Sequence, residues 1–142
     1  MKTVRQLLEG KGQLLLWVAP GARVIDALRA MADKDVGSVL VMEDGRLKGI
    51  FTERDYSRKI ALVGKTSSGT LVAEVMTEKV VFVRPAQTVD ECMAIMTEKR
   101  CRHLPVIDGD KVLGVVSIGD LVKETISEQE FIIHQLENYI MH

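Results

Sequence analysis

The chain has 142 residues with 19 basic and 20 acidic side chains, which gives a formal net charge of -1. This length is typical of one compact folded unit, since domains run to about 100–200 residues. An apolar fraction of 46% with 27% charged residues is against intrinsic disorder, and the balanced charge disfavours non-specific nucleic-acid binding, which requires an excess of Lys and Arg.

The sequence carries no signal for a membrane or for secretion. No stretch reaches the roughly 18 consecutive apolar residues of a membrane span, and the N-terminal segment lacks the apolar run and cleavage site of a signal peptide. The two cysteines, Cys92 and Cys101, cannot build a disulfide framework and suit a reducing compartment. We therefore expect a cytoplasmic protein.

The first half of the chain predicts the order strand, helix, strand, strand, helix. Apolar residues at spacings of three and four predict the helices, a proline ends the first strand, and an Asp-Gly turn joins the other two strands. The predicted strands are Leu14–Val18, Ser38–Met42 and Leu47–Phe51, and the helices extend from Val24 to Met31 and onward from Thr52.

The second half predicts the same order after a Gly- and Ser-rich loop, Val63–Thr70, and a helical turn, Leu71–Met76. A capping box at Ser127 and Glu130 predicts a separate C-terminal helix whose apolar stripe must dock on its own core or on a partner chain. The predicted strands are Val80–Val83, Leu104–Ile107 and Val112–Val116, and the helices extend from Val89 to Met96, onward from Ser117 and from Ser127 to His142.

The two halves form an internal repeat. Residues 18–59 align with residues 83–124 without a gap, and eight pairs are identical where about three are expected from ordinary composition. The identical pairs are Val18/Val83, Pro20/Pro85, Val24/Val89, Met31/Met96, Lys34/Lys99, Val41/Val106, Gly49/Gly114 and Asp55/Asp120. One supersecondary unit therefore occurs twice.

A hydroxyl residue and an Asp three positions later stand where each unit passes from strand to helix. These pairs are Thr52 with Asp55 and Ser117 with Asp120. One interpretation is a capping box, which satisfies the free N–H groups of a helix start. The other is a nucleoside-phosphate site, because a helix N-terminus attracts phosphate and a carboxylate beside it can accept both ribose hydroxyls. The two roles are compatible.

A basic cluster of Arg100, Arg102 and His103 precedes the strand at Leu104. Arginine suits phosphate because of its planar fork of donors, although a solvated turn is the alternative interpretation. The first unit has Gly37 and Ser38 at the positions that match Arg102 and His103, so we expect two unequal sites, one strong and one weak or empty.

The sequence does not indicate an enzyme. No acid pair, nucleophile with a base, or set of metal ligands converges on a reacting group. Gly64-Lys65-Thr66 resembles the end of a P-loop, but Lys59 occupies the position of the required glycine. We therefore expect neither a catalytic residue nor a metal.

The doubled unit resembles the cystathionine-beta-synthase (CBS) domain family. The resemblance rests on the two Gly…Thr/Ser-x-x-Asp junctions, on Arg102-His103-Leu104-Pro105-Val106 and on Val75-Met76-Thr77 before the second unit. It covers nearly the whole chain and is greatest to small stand-alone CBS pairs, or Bateman modules. It divides the chain into a first repeat with the N-terminal segment and linker (1–70), a second repeat (71–126) and a C-terminal helix (127–142).

The resemblance implies an α/β fold in which the tandem repeats pack sheet to sheet about a pseudo-twofold axis and modules pair as homodimers through CBS–CBS contacts. It also implies clefts between the repeats that bind an adenosine compound: AMP, ADP, ATP, NAD(H) or S-adenosylmethionine. The motifs require no metal, and the composition leads us to expect no nucleic-acid or membrane partner.

Site residues follow from the family pattern by position. Asp55 and Asp120 are expected to hold ribose hydroxyls, with Thr52 and Ser117 assisting. Phosphate is expected at Arg54, Arg102 and His103, and the residues expected to flank adenine or take matching places in the other half are Leu15, Leu16, Ala19, Ile50, Val80, Val81 and Val115.

Two functions follow from this resemblance. The leading one is a non-enzymatic sensor that binds an adenosine nucleotide and signals to a separate protein, for which a thioredoxin-like protein or a metabolic enzyme is the candidate. The alternative is a structural or interaction dimer without a nucleotide, in which the Thr/Ser-x-x-Asp motifs serve only as helix caps.

Overall fold

The computed structural model describes residues 2–12 and 15–141. The chain divides into two compact units, which we name by the repeat each contains: the first-repeat unit spans residues 15–80, and the second-repeat unit spans residues 2–12 and 81–141. The elements in chain order are α1 (Val4–Lys11), β1 (Trp17–Val18), α2 (Val24–Lys34), β2 (Ser38–Glu43), β3 (Arg46–Thr52), α3 (Glu53–Tyr56), a π-helical turn (Ser57–Ala61), α4 (Val72–Val75), α5 (Val89–Lys99), β4 (His103–Asp108), β5 (Lys111–Ser117) and α6 (Ile118–Met141).

The first-repeat unit contains a three-stranded sheet in the order β1-β2-β3. β1 runs parallel to β2, and β2 runs antiparallel to β3. Helix α2 places Val24, Ala27 and Met31 on the sheet, and these residues share a core with Phe51 and Ile60. The α/β prediction is therefore confirmed for this unit, with the Thr52 junction at the end of a strand that is buried near its C-terminus.

The second-repeat unit repeats the hairpin in β4 and β5 and covers it with α1, α5 and α6. Its core joins residues from all of these elements, among them Val4 and Leu8 of α1, Cys92 of α5, Leu104 of β4 and Leu121 of α6. The Ser117 junction again stands between the last strand and the following helix.

The duplication extends to backbone irregularities. In each hairpin the register shifts at the same place, between Val41 and Met42 in the first unit and between Val106 and Ile107 in the second. These shifts are β-bulges, which bend a strand and are inherited as part of a structural unit. The alignment of the two halves, made from sequence, is thus confirmed in the structure.

Each repeat is preceded by an arm that packs in the unit of the other repeat: the N-terminal arm (2–12) precedes the first repeat, and the linker arm (71–80) precedes the second. The N–H group of Val72 donates to the carbonyl of Ala22 at 2.8 Å, and the N–H group of Val4 donates to the carbonyl of Gln87 at 2.8 Å. Ala22 and Gln87 are equivalent positions of the repeat, so the two arms play equivalent parts. The N-terminal segment, predicted to belong with the first repeat, lies instead in the second-repeat unit because Val4 and Leu8 complete its core.

The predicted strand Val80–Val83 is wrong. Only Val83 pairs, as a single parallel bridge to Val106. The equivalent ladder in the first unit includes a bond from the N–H of Leu40 to the carbonyl of Leu16, but Pro105 stands at the position of Leu40 and has no N–H to donate. The other predicted first strand, Leu14–Val18, is confirmed for Trp17–Val18, and Leu14 lies outside the described residues.

The predicted separate C-terminal helix is also wrong. α6 runs without interruption from Ile118 to Met141, so Ser127 lies within a helix and does not cap one. No Gly or Pro follows Gly119 in this stretch, and a continuous backbone ladder leaves no free N–H groups at Ser127 for a cap to satisfy.

Gly49 and Gly114 are equivalent positions that differ in what lies above them. A Cβ atom on Gly49 would lie 2.7 Å from the carbonyl oxygen of Thr77, whereas one on Gly114 would lie 3.0 Å from a methyl group of Leu8. Backbone cannot move aside as a leucine methyl can. We expect Gly49→Ala to lower the free energy of unfolding by about 1–3 kcal/mol and Gly114→Ala to lower it by clearly less. Urea unfolding of both variants measures this, and equal losses would contradict it.

Candidate functional site

The Thr52 junction of the first-repeat unit is a complete capping box. The hydroxyl of Thr52 accepts from the N–H of Asp55 at 3.2 Å, and Oδ2 of Asp55 accepts from the N–H of Thr52 at 3.0 Å and from its hydroxyl at 3.2 Å. This satisfies N–H groups at the start of α3 and fixes the rotamer of the carboxylate. The capping interpretation is therefore confirmed at this junction.

The second oxygen of Asp55 is also occupied. Oδ1 accepts from the hydroxyl of Thr77 at 3.0 Å and lies 3.0 Å from Nζ of Lys59. Thr77 is held in place by its backbone, which exchanges two hydrogen bonds with Ile50. With four donors and a side chain only 8% exposed, Asp55 binds the linker arm to the end of β3 and has little surface left for a ligand.

The Ser117 junction of the second-repeat unit has the same cap with a different partner. Oδ2 of Asp120 accepts from the N–H of Ser117 at 2.8 Å, and the hydroxyl of Ser117 accepts from the N–H of Asp120 at 3.2 Å. The partner is Lys11 of α1, whose Nζ lies 2.7 Å from Oδ2 of Asp120 and 3.1 Å from the carbonyl of Val115. The Asp120 side chain is 26% exposed, so this carboxylate is the more accessible of the two.

The basic pair lies in the same unit as Asp120. His103 faces Ser117 across the β4–β5 ladder, and the carbonyl of Arg102 accepts from the N–H of Ile118 at 2.9 Å. The main chain thus brings Arg102, His103 and Ser117 to the start of α6. In the first-repeat unit Gly37 occupies the position of Arg102 and makes the equivalent bond to Glu53, without a cationic side chain.

The electrostatics of this junction favour a charged carboxylate and a neutral imidazole. Burial alone would raise the pKa of Asp120, but the hydrogen bond and charge of Lys11 and the N–H of Ser117 outweigh it and the pKa is lowered. The pKa of His103 is also lowered, first by burial and then by the positive charge of Lys11, which together outweigh the opposing effect of Asp120. Asp120 is therefore an anionic acceptor throughout the neutral range.

A pocket of about 270 Å³ opens beside this junction within the second-repeat unit. Its walls come from α1 and α6, and its polar lining includes Lys2, Lys11, Lys123, Asp120 and Ser127. This volume is just below the range of about 300–1,000 Å³ that small-molecule sites occupy. The lining supplies three cationic side chains and two carboxylates, Asp120 and Glu124, and Glu124 pairs with Lys2 at 3.3 Å.

The other predicted residues are distributed between the two units. Ala19, Arg54 and Val80 belong to the first-repeat unit, and of these only Val80 is half-buried while the other two are exposed. Val81 and Val115 are half-buried in the second-repeat unit. The structure thus gathers Arg102, His103, Val115, Ser117 and Asp120, and separately Ile50, Thr52 and Asp55.

Three residues of these junctions were missed by the sequence analysis: Lys11, Lys59 and Thr77. Lys59 follows Asp55 by four positions on the same helical stretch, which is a signal for an ion pair that the sequence offers. Thr77 was noted only as part of a family motif. Lys11 could not be found, because its distance of 109 residues from Asp120 in the sequence carries no local signal.

The structure offers no other reactive centre in the part of the chain that it describes. No cluster of three or more His, Cys, Asp or Glu side chains could hold a metal ion there. Burial and the charge of Glu91 raise the pKa of the Cys92 thiol to about 11, so this thiol is protonated and unreactive at neutral pH. Among the described helices none combines the length and apolarity needed to cross a membrane.

Comparison with known proteins identifies CBS-domain proteins as relatives of this chain. The family model for the CBS domain matches residues 15–62 and 72–127. The mitochondrial CBS domain-containing protein CBSX3 of Arabidopsis thaliana is 37% identical over 97% of this chain and 71% of its own length. Among solved structures, a CBS-domain protein of Burkholderia ambifaria has 48% identity and a TM-score of 0.86 over 90% of this chain and 96% of its own. The CBS domain structure of NE2398 has 48% identity and a TM-score of 0.84 over 88% and 98%.

The lowered pKa of His103 predicts a loss of stability in mild acid. Below the unfolded-state pKa of 6.5, His103 is protonated in the unfolded chain but still neutral in the folded chain. The free energy of unfolding therefore falls as pH drops through 6.5 toward the folded pKa. His103→Gln should reduce this fall between about pH 7 and 5.5. Urea unfolding at several pH values measures it, with His134→Gln on the exposed part of α6 as control. An unchanged pH profile for His103→Gln would contradict the prediction.

Proposed function

The chain belongs to the CBS domain family, and we propose that this CBS-domain regulatory module is a non-enzymatic sensor that binds an adenosine nucleotide and signals to a separate protein. The observation that carries the proposal is the Asp120 junction. It combines an accessible anionic carboxylate, a helix start and three basic side chains, Lys11, Arg102 and His103, in one unit.

Ribose recognition is assigned to Asp120. A carboxylate accepts hydrogen bonds only, so it matches the two adjacent hydroxyl groups of a ribose, as the acidic residue of dinucleotide-binding folds does. Lys11 and Ser117 hold Oδ2 of Asp120 in a fixed orientation before any ligand arrives. A preorganised acceptor of this kind loses little conformational entropy on binding.

Phosphate recognition is assigned to Arg102, with His103 and the start of α6. α6 is a helix of 24 residues, and its N-terminus carries a partial positive charge and N–H donors. Arginine adds a fork of charge-assisted hydrogen bonds. Arg54, exposed one position before Asp55, is proposed as a phosphate contact of the first-repeat unit alone.

The two junctions are proposed to differ in function. Asp55 already has four donors and is nearly buried, which supports a structural role as cap and anchor of the linker arm. Asp120 has fewer partners and more exposure, which supports the ligand role. The alternative function, a dimer that binds no nucleotide and uses both motifs only as caps, is supported by the complete capping boxes at both junctions.

Signalling is proposed to act through populations of states. A nucleotide shifts the module toward one arrangement only by the difference between its affinities for the two arrangements. The output then passes to a separate protein, with a thioredoxin-like protein or a metabolic enzyme as the proposed class and a homodimer as the proposed assembly. Within this scheme the adenosine ligand is AMP, ADP, ATP, NAD(H) or S-adenosylmethionine.

The ligand proposal predicts stabilisation by nucleotides. A ligand at about 100 times its dissociation constant adds roughly 2.7 kcal/mol to the free energy of unfolding, which raises the melting temperature by several degrees. We expect this shift with at least one adenosine compound of a panel containing AMP, ATP, NAD, NADH and S-adenosylmethionine. Differential scanning fluorimetry measures it.

Asn variants of the two acids separate ligand binding from capping, because Asn caps helices nearly as well as Asp. Asp120→Asn should remove most of the nucleotide shift, and because it loses the charge that pairs with Lys11 it should also lower the ligand-free melting temperature. Asp55→Asn should lower the ligand-free melting temperature and retain the shift, since it loses the charge that pairs with Lys59. No shift for the unmodified chain with any compound would favour the capping-only alternative.

The phosphate assignment is tested by comparing adenosine with AMP. Arg102→Gln should reduce the affinity for AMP about tenfold, which corresponds to one charge-assisted hydrogen bond of about 1.4 kcal/mol, and should leave the affinity for adenosine unchanged. Isothermal titration calorimetry measures both affinities. The control is Arg100→Gln, two residues earlier in the sequence, and equal effects of Arg102→Gln on both ligands would contradict the assignment.

A further inference from the structure

The distal part of α6 is exposed on all sides. From Ile126 to Met141 every residue is exposed, including Ile132 (50%), Ile133 (54%), Leu136 (57%) and Ile140 (78%). Only the start of the helix, at Leu121, reaches the core of the second-repeat unit. Of the two docking partners expected for this stripe, its own core and a partner chain, the first is not found among the residues that the structure describes.

Most of the exposed apolar residues form one continuous stripe, and Phe131, 64% exposed, lies on the opposite face of the helix. Ile126, Ile133 and Ile140 are seven residues apart, and Gln129 and Leu136 follow the first two of these by three positions. This is the a/d spacing of a coiled coil, in which Ile at a and Leu at d suit a parallel pair. We call these five residues the C-terminal stripe; Val122, 42% exposed, extends it toward the folded unit.

The chemistry of the stripe identifies a second copy of the same chain as its occupant. The stripe carries no charged side chain, and its one polar member, Gln129, has an amide that both donates and accepts hydrogen bonds and so pairs with an identical amide. A membrane surface fits poorly, because α6 has no Lys or Arg after Lys123 to meet anionic lipid. We infer that the C-terminal stripe is a self-association surface on which the stripe of a second copy docks in parallel.

The positions of the acidic residues select the parallel orientation. With Ile126 at position a, Glu130 and Glu137 both fall at e, while Ile132 and Tyr139 fall at g. In a parallel pair e faces g of the partner, so each glutamate meets an uncharged side chain. In an antiparallel pair e faces e, which would bring the glutamates of the two copies together and cost free energy through like-charge repulsion.

The area available is sufficient for association of moderate affinity. Burying an exposed Ile or Leu side chain removes on the order of 100 Å² from water. The apolar stripe residues with Val122, Ile132 and Tyr139 thus offer roughly 500 Å² or more per copy, about 1,000 Å² for the pair, which is the lower limit of specific interfaces. Association should therefore depend on protein concentration in the micromolar range.

Cysteine cross-linking of the full chain tests whether the C-terminal stripe is the surface that contacts the second copy. In a Cys101→Ser background, Ile133→Cys should form a disulfide-linked dimer as the main product of mild oxidation. The matched control, Asn138→Cys, is exposed on the opposite face of α6 and should give at most about a tenth as much cross-linked product. Cys92 is retained because it is buried. Equal cross-linking at the two positions, or none at Ile133→Cys, would overturn the inference.

Charge substitutions test whether the C-terminal stripe contributes to the free energy of self-association. Ile133→Glu with Leu136→Glu should raise the dimer dissociation constant at least tenfold in sedimentation velocity, whereas Gln135→Glu with Asn138→Glu, which adds the same charge away from the stripe, should change it less than twofold. All four side chains are exposed, so folding is spared. The inference would be overturned by an unmodified chain that stays monomeric, or by one that binds phosphatidylcholine vesicles and does not self-associate. The nucleotide shift should be equal in both variants, which keeps this test independent of the proposed function.

Discussion

The contact of 2.7 Å between Lys11 and Asp120 is the interaction on which the candidate site of the second-repeat unit depends most. It joins the end of α1 to the start of α6, in the unit where Val4 and Leu8 of the same N-terminal segment complete the core. The same contact lowers the pKa of Asp120 and, with burial, that of His103. The ion pair therefore links the charge state of the candidate site to a helix whose position is fixed by the burial of Val4 and Leu8.

The duplication produced two similar units, and a few substitutions made their sheets and junctions differ. Pro105 in place of the equivalent Leu40 shortens a parallel ladder to one bridge, because proline has no N–H to donate. Asp55 has four donors, from Thr52, Lys59 and Thr77, whereas Asp120 has fewer and is more exposed. A repeat of this kind can retain one junction for stability and leave the other for binding, since each cap already satisfies its own helix start.

Much of the fold was predictable because its signals are local. The spacing of Val24, Ala27 and Met31 identified α2, and the Asp-Gly turns identified both hairpins. The capping boxes at Thr52 and Ser117 followed from residue type and a spacing of three. The prediction failed where a distant segment determines the local structure. Val80–Val83 has the composition of a strand, but Pro105 in β4 limits its pairing to one bridge.

The sequence alone determined the repeat, its alignment, the two junctions and the basic pair, because each depends on residue identity over a few positions. Only the tertiary structure decided which arm completes which unit and which carboxylate remains accessible. Lys11 contacts Asp120, and Thr77 contacts Asp55. Both Lys11 and Thr77 lie outside the aligned repeat segments, and Lys11 is far from Asp120 in the chain. Burial, and with it the pKa of Asp120 and His103, is a property of those neighbours and not of the residues themselves.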